Sequence, residues 1–400
     1  MTRASDLARL MGAGGTLNAA LSVDTISEKT SGSGVTIDSL NIKDSGIGGQ
    51  QIGGRRNMVI NGGMQCSQRS TSVTGIGGSS GYFTVDRIQH TFGGSTSGRY
   101  TSSQSTDAPS GFGNSLKLDC TTADTSIAAT ENARLFYLFE GQDLQQLKKG
   151  TSDAEKVTVS FYVKGNANAT YMVELYDGDN NRHNTQQFAV TSSWNRISLT
   201  FDGDTTGAFD NDNALSLYLS FWLHAGSTYT SGTYTANTWA SPTNSNRAVG
   251  ISSFFDSTDR TFFLTGLQME VGSQATPFEH RSFGEELGLC QRYFYQAVSG
   301  NAQAFGMGAY YATSLITMVL DFPTTMRAAP SVAVGTGTGY YVGYSNGQGD
   351  SFDTWDNVQR ANPNYVALDV TDDGASGTAG NGVALATNNA SAFINVDAEL

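Results

Sequence analysis

Aromatic side chains in a polar loop are the residues of this sequence best suited to contact a ligand. The loop GSTYTSGTYTANTWASPTNSN (226–246) is dominated by Ser, Thr, Asn and Gly, yet it contains Tyr229, Tyr234 and Trp239. Sugar rings present C–H groups that pack on aromatic faces. We therefore predict that these three residues, with Trp222 just before the loop, contact a glycan. A structural role for any one of them is the alternative.

Two acidic loops could hold a metal ion. Asp177 and Asp179 lie in the sequence DGDNN, and Asp202 and Asp204 lie in DGDTTG. Several hard oxygen ligands on neighbouring loops are what calcium prefers. Turn formation explains the same residues equally well, and EF-hand spacing is absent. The sequence therefore allows a stabilising calcium ion and indicates no other cofactor.

Recognisable catalytic signatures are missing. The histidines at positions 90, 183, 224 and 280 form no HExxH motif, and no GxSxG elbow precedes a helix. We predict that the chain is not an enzyme and assign no catalytic residue. Glycoside hydrolysis needs only two carboxylates beside a sugar bond, so a polysaccharide depolymerase stays a weaker alternative.

Composition limits the partners. The formal net charge of −13 repels phosphate backbones, and the dipeptide Arg55-Arg56 is too short for a nucleic-acid stripe. The longest apolar runs, such as Leu217 to Leu223, are far shorter than the roughly 20 residues of a membrane span. Three widely spaced cysteines predict free thiols and fit synthesis in a reducing cytoplasm. We expect neither nucleic-acid binding nor membrane insertion.

Strands must position most of these side chains. Charged residues make up 15% of the chain and Gly numbers 47, a composition that favours strands and turns. From residue 57 to 284, strand patterns recur about every ten residues between turn sequences. In VTVSFYV, Val157, Val159, Phe161 and Val163 share one face. These patterns predict antiparallel β-sheets, interrupted by one helix in LFEGQDLQQLKKG that ends at Gly150.

The flanking segments differ from this main domain. Residues 1–56 predict a short helix after Ser5 and then short strands with too few apolar residues for a core of their own. Such a segment is expected to form an oligomeric stalk with copies of itself, unless it is a disordered leader. Residues 285–296 predict a connector, and residues 297–400 predict a small C-terminal β-sandwich domain.

Two resemblances to known families add to this interpretation. The run VTVSFYVKGNANATYMVELYDGDNN, with the later QQFAVTSSWNRISLTFDGDTTG, resembles jelly-roll carbohydrate-binding modules, although Asn195 separates Trp194 from Arg196. The segments NMVINGGMQCSQR (57–69), YFTVDRI (82–88), GLQMEVGSQATPFEHRSFGEELGLCQRYF (266–294) and INVDAEL resemble parts of bacteriophage tail-fibre and minor structural proteins.

These resemblances imply a fold and a function. The fold expected is mainly β: an antiparallel jelly-roll sandwich over residues 57–284, with the N-terminal helix and stalk before it and the small β-domain after it. The function implied is host-surface glycan recognition by a virion tail component made in the host cytoplasm. The resemblance also implies a homotrimer whose N-terminal segment binds other tail proteins. A purely architectural virion subunit without glycan binding is the alternative.

Overall fold

The computed structural model describes residues 55–371 and 374–400, together with the backbone of four short strands between residues 35 and 51. The chain divides into two compact units, residues 1–54 and residues 55–400. In the first unit an antiparallel sheet follows chain order, with strands β1 (Val35–Ile37), β2 (Leu40–Lys43), β3 (Gly46–Ile47) and β4 (Gln50–Gln51). The helix predicted after Ser5 lies outside the described residues.

Twelve strands of the second unit form a sandwich of two antiparallel six-stranded sheets. In chain order they are β5 (Ser72–Ile76), β6 (Gly81–Tyr82), β7 (Gln89–Gly93), β8 (Arg99–Ser105), β9 (Ser115–Thr122), β10 (Asn132–Glu140), β11 (Val157–Gly165), β12 (Ala169–Asp177), β13 (Arg182–Val190), β14 (Asn195–Phe201), β15 (Leu215–Ala225) and β16 (Thr261–Val271). The sheet orders are β13-β12-β15-β10-β7-β6 and β14-β11-β16-β9-β8-β5. The predicted mainly β, antiparallel jelly-roll class is confirmed.

Alternating side chains explain why these segments form strands that bury one face. Val159, Phe161 and Val163 of β11 all point into the core between the two sheets and are fully buried. The ring of Phe161 makes edge-to-face contacts with Phe188 and Phe221 of the opposite sheet, each at a centroid distance of 5.1 Å. Such contacts stabilise the sandwich beyond the burial of apolar area.

Helices are few and short among the described residues. The segment predicted as a helix ending at Gly150 instead continues β10 to Glu140 and then forms a 3-10 helix, Gly141–Leu147, which ends where Lys148 adopts a left-handed conformation. Helix α1 spans Ser227–Thr230, a second 3-10 helix spans Asn244–Asn246, and helix α2 spans Phe283–Gln291. None of these described helices is long and apolar enough to cross a bilayer.

The remaining strands form two further sheets with a core of their own. They are β17 (Phe294–Ser299), β18 (Ala304–Ala312), β19 (Leu315–Asp321), β20 (Ser331–Val334), β21 (Tyr341–Ser345), β22 (Gln348–Phe352), β23 (Asn357–Gln359), β24 (Tyr365–Thr371), β25 (Gly382–Thr387) and β26 (Phe393–Asp397). The orders are β17-β26-β20 and β22-β21-β25-β18-β19-β24-β23. The predicted connector, residues 285–296, contains most of α2 and the start of β17.

Buried ion pairs join the two cores of the second unit. The guanidinium of Arg87 stacks on Tyr293 at 3.4 Å, pairs with the carboxylate of Glu399 and is 1% exposed. Glu140, at the end of β10, accepts two hydrogen bonds from Arg292, at 2.9 and 2.7 Å, and one from the Tyr293 hydroxyl. Side chains from the start and the end of the unit therefore share one buried polar junction.

Candidate functional site

The loop between β15 and β16, residues 226–260, lies across the outer face of the sheet β13-β12-β15-β10-β7-β6, and we call it the covering loop. Its backbone bridges the edge strand β13 at His183 and Thr185, which pair with Ala240 and Ala236. A covered edge cannot pair with another chain. The polar residues of the covering loop face solvent, and the residues on its other side pack against the sheet.

The three aromatic residues predicted to contact a glycan anchor this loop. Tyr229 packs on the ring of Trp222 at 5.1 Å, and the Tyr234 hydroxyl accepts a hydrogen bond from the backbone N–H of Gln187 at 3.0 Å. The indole N–H of Trp239 donates to the backbone oxygen of Asp202 at 2.6 Å. All three side chains are half-buried rather than freely exposed, and their glycan contact stays a prediction.

Trp222 is buried between the sheet and the covering loop. It has no exposed surface, and its indole N–H donates to Glu174 at 2.8 Å. A buried ring cannot stack on a sugar, so the predicted glycan contact of Trp222 is wrong. Glu174 is fully buried as well, and its two oxygens accept hydrogen bonds from Arg247 at 2.7 and 2.8 Å.

Protein cations pair with three of the four aspartates considered for calcium. The ammonium group of Lys149 lies between Asp177 and Asp204, at 2.5 and 3.2 Å. Asp202 pairs instead with Lys156, and Asp179 accepts from a backbone N–H. Because a buried lysine already occupies the position between the nearest two carboxylates, the predicted calcium site is replaced by an internal ion pair.

An open part of the same sheet face lies beside the covering loop. Tyr176 on β12 is directly opposite Tyr218 on β15, and Ser220 of β15 is directly opposite Phe136 on β10. These residues alternate with core residues such as Leu219, so their side chains all point away from the core. Three adjacent strands therefore supply one continuous patch.

This patch forms a cavity of about 210 Å³ lined by aromatic, hydroxyl and guanidinium groups. Its lining residues are Arg134, Phe136, Tyr176, Tyr218, Ser220 and Arg247. The ring of Tyr218 lies 5.6 Å from that of Phe136 and 5.4 Å from that of Tyr176, both in edge-to-face geometry. The three rings are held by one another, so a ligand meets a preorganised surface.

The cavity carries a net positive charge. Glu174 neutralises Arg247, whereas Arg134 forms no ion pair with any carboxylate that the structure describes. Burial, and after it repulsion from Arg247, lowers the pKa of Arg134 to about 10, so both guanidiniums stay charged at neutral pH. Burial opposes ionisation of Glu174, but attraction to Arg247 and hydrogen bonds from His183 and Arg247 outweigh it and lower its pKa to about 2.

One polar group in the cavity lacks a protein partner. The hydroxyl of Ser220 is buried and forms no hydrogen bond with any described residue. A buried hydroxyl without a partner costs roughly 1–3 kcal/mol.

Sequence reasoning singled out none of the six lining residues as part of a site. The signal within each strand was present: polar or aromatic residues alternate with core residues in LYLSF and in VELYD. The pairing of β10, β12 and β15 was the missing information, because these strands are far apart in the sequence.

The likenesses to known proteins are structural only and have low TM-scores. No protein family and no curated protein matches the sequence. Among solved structures, the xylan-binding domain from Paenibacillus barcinonensis Xyn10C is similar to 56% of this chain over 100% of its own length, with 11% identity and a TM-score of 0.26. The family 11 carbohydrate-binding module from Clostridium thermocellum, solved with a mixed-linked tetrasaccharide, matches 52% of this chain and 99% of its own, with 13% identity and a TM-score of 0.25.

A phage protein is also similar. The enzymatically active domain of tailspike protein 4 from Bacteriophage CBA120 matches 54% of this chain at 13% identity and a TM-score of 0.26, but only 21% of its own chain is covered. At these TM-scores the likenesses carry no argument about function. The functional argument therefore rests on the open face.

Proposed function

We propose that this chain is a non-catalytic, glycan-binding structural subunit of a phage tail fibre or related appendage, and that the cavity on the open sheet face is its sugar site. The observation that carries the proposal is the convergence of three fixed aromatic rings and two guanidiniums in one open cavity. Apolar walls with a few convergent polar groups are typical of small-ligand sites.

Aromatic and polar groups have separate roles at such a site. The rings of Tyr218 and Tyr176 offer surface on which the C–H groups of a sugar can pack. The Arg134 guanidinium offers hydrogen bonds to ring hydroxyls. Desolvated polar groups that a ligand must pair give specificity, because an analogue without the matching group leaves them unsatisfied.

The charge of the cavity favours an acidic sugar. The guanidinium of Arg134 is planar and can bind a carboxylate through two parallel hydrogen bonds, and no described protein carboxylate competes for it. A uronic acid or another sugar with an anionic group would neutralise the net positive charge. The net charge of the whole chain is −13, so this attraction acts only at short range.

The virion role rests on the sequence resemblances given above. In that role the N-terminal segment attaches to other tail proteins, and a homotrimer presents three copies of the open face to the host surface. Several weak sites that engage together raise the apparent affinity without new contacts. A modest affinity of one site is therefore sufficient for adsorption.

A glycan array with the purified full chain tests the proposal, followed by titration calorimetry with a soluble oligosaccharide to remove avidity. We expect saturable binding that Tyr218→Ala weakens at least tenfold, equivalent to about 1.4 kcal/mol. Tyr344→Ala is the matched control, because this tyrosine is 54% exposed on β21 of the other sandwich. We expect it to bind like the wild type.

Three other outcomes would contradict this function. Absence of binding to any glycan or host cell would indicate the architectural alternative. Release of reducing ends from a bound glycan would indicate a depolymerase. Binding that Tyr344→Ala abolishes and Tyr218→Ala leaves intact would move the sugar site to the C-terminal sandwich.

A further inference from the structure

Three metal-binding side chains converge at one end of the first sandwich, away from the four aspartates considered for calcium. Asp124 lies in the loop between β9 and β10, Glu131 lies directly before β10, and His224 lies near the end of β15. One ligand atom from each lies within 4.8 Å of the other two, and all three residues are buried. The stretch 125–130, between the two acids in the sequence, is exposed.

His224 supplies a second, independent observation. Its side chain has no exposed surface, and its Nε2 atom forms no hydrogen bond with any described residue. The same atom lies 3.8 Å from an oxygen of Glu131. Its other ring nitrogen, Nδ1, is 2.8 Å from the Ser253 hydroxyl. A histidine fixed through one nitrogen while the other faces carboxylates has the arrangement of a metal ligand.

The charges of the cluster also call for a cation. Asp124 accepts hydrogen bonds from the Thr96 hydroxyl and the Ser97 N–H, both at 2.9 Å, and Glu131 accepts one from the Ala128 N–H at 2.8 Å. These donors orient the carboxylates without neutralising them. No lysine or arginine among the described residues forms an ion pair with either acid. Two buried carboxylates without a counter-ion are costly.

We propose that Asp124, Glu131 and His224 form a binding site for a divalent transition-metal ion of the zinc type. An imidazole with two carboxylates suits zinc, whereas calcium prefers oxygen ligands alone. Ligands about 2.0 to 2.1 Å from a tetrahedral ion lie roughly 3.3 Å apart. The 3.8 Å between His224 Nε2 and Glu131 therefore needs to close by about 0.5 Å, and the other separations, which are at most 4.8 Å, by up to about 1.5 Å. Water or a ligand would take the fourth position.

The ion would fix the strands that carry the open cavity. Glu131 is three residues before Arg134, and His224 is two residues after Trp222, so the ion would tie β10 and β15 together at one end. The site is thus expected to be structural. This inference does not depend on the proposed glycan binding, since a metal can stabilise the sandwich whatever the open face binds.

The test uses tag-free full-length protein treated with EDTA and then dialysed. We expect calorimetric titration with ZnCl2 to give one high-affinity ion per chain, and elemental analysis after gel filtration to recover it. Co2+ should give visible absorption bands of low-symmetry coordination, a readout that needs only the wild-type protein. Zinc should raise the Tm, and calcium at the same concentration should raise it much less.

Glu131→Gln and His224→Gln should each weaken zinc binding at least tenfold. His280→Gln is the matched control, because this histidine is exposed and distant in the chain from the cluster, and it should bind zinc like the wild type. Should the variants fail to fold, the zinc stoichiometry and the Co2+ spectrum of the wild type decide the question. Failure to bind zinc, equal binding by Glu131→Gln, or stabilisation by calcium alone would overturn the proposal.

Discussion

Replacing Glu174 tests the buried polar network beneath the open cavity. This carboxylate is fully buried and accepts hydrogen bonds from Arg247, from the indole of Trp222 and, at 2.9 Å, from His183 when Nδ1 of that ring carries a proton. Glu174→Gln preserves the shape of the side chain but removes its charge. The variant therefore leaves the guanidinium of Arg247 without its counter-ion.

The magnitude follows from the pKa of Glu174. Its surroundings lower the pKa from 4.5 to about 2, and each pKa unit corresponds to about 1.4 kcal/mol. The charged carboxylate therefore contributes about 3 kcal/mol to the free energy of unfolding at pH 7, in the range measured when one partner of a buried pair is removed. Because the folded pKa is the lower one, this contribution is complete above pH 4.5 and is lost as the pH falls toward 2.

Urea unfolding followed by tryptophan fluorescence measures the effect, since Trp222 contacts the altered group. We expect Glu174→Gln to lower the free energy of unfolding by about 3 kcal/mol at pH 7 and by about half as much at pH 3. Glu155→Gln, which removes one partner of an exposed ion pair with Lys148, is the control and should unfold at the wild-type urea concentration. A difference below about 1 kcal/mol at pH 7, or one that grows as the pH falls, would refute the reasoning.

Two further predictions concern other buried charges. Lys149→Met should lower the free energy of unfolding in urea by about 3–5 kcal/mol, because it leaves the fully buried Asp177 without a cation, whereas Asp204 keeps its ion pair with Arg182. Millimolar calcium should leave the Tm of the wild type unchanged, and a clear rise would restore the calcium interpretation. Glu399→Gln should have an effect of similar size, since it removes the counter-ion of the buried Arg87. Calorimetric unfolding of this variant at the wild-type temperature would show that the ion pair contributes nothing.

The strands were predictable because their signal is local. Alternation within VTVSFYV and the turn residues of DGDNN are visible without knowledge of any neighbour, and both lie where the sequence places them. The 3-10 helix at Gly141–Leu147 was harder. Its apolar residues, Leu144 and Leu147, are buried against the sandwich, and this tertiary contact overrides the helical propensity of the segment.

The candidate site was less predictable for two physical reasons. The open face combines Phe136, Tyr176 and Tyr218 through the register of three strands, which periodicity alone cannot supply. The covering loop has a polar sequence, so exposure was the natural expectation for its aromatics. Tyr229 instead fills the space above Trp222, because the sheet face there is apolar and must be covered.

The pairing of Arg87 with Glu399 also concerns the order of events during synthesis. The two residues are 312 positions apart. At typical translation rates of roughly 5–20 residues per second, about 15 to 60 s pass between the synthesis of Arg87 and the synthesis of its counter-ion, Glu399. Until then Arg87 has no counter-ion, although Tyr293, which stacks on its guanidinium, is synthesised earlier than Glu399. A nascent chain can thus form the strands of the first sandwich early. The sandwich reaches its final stability only after the segment that contains Glu399 has been synthesised.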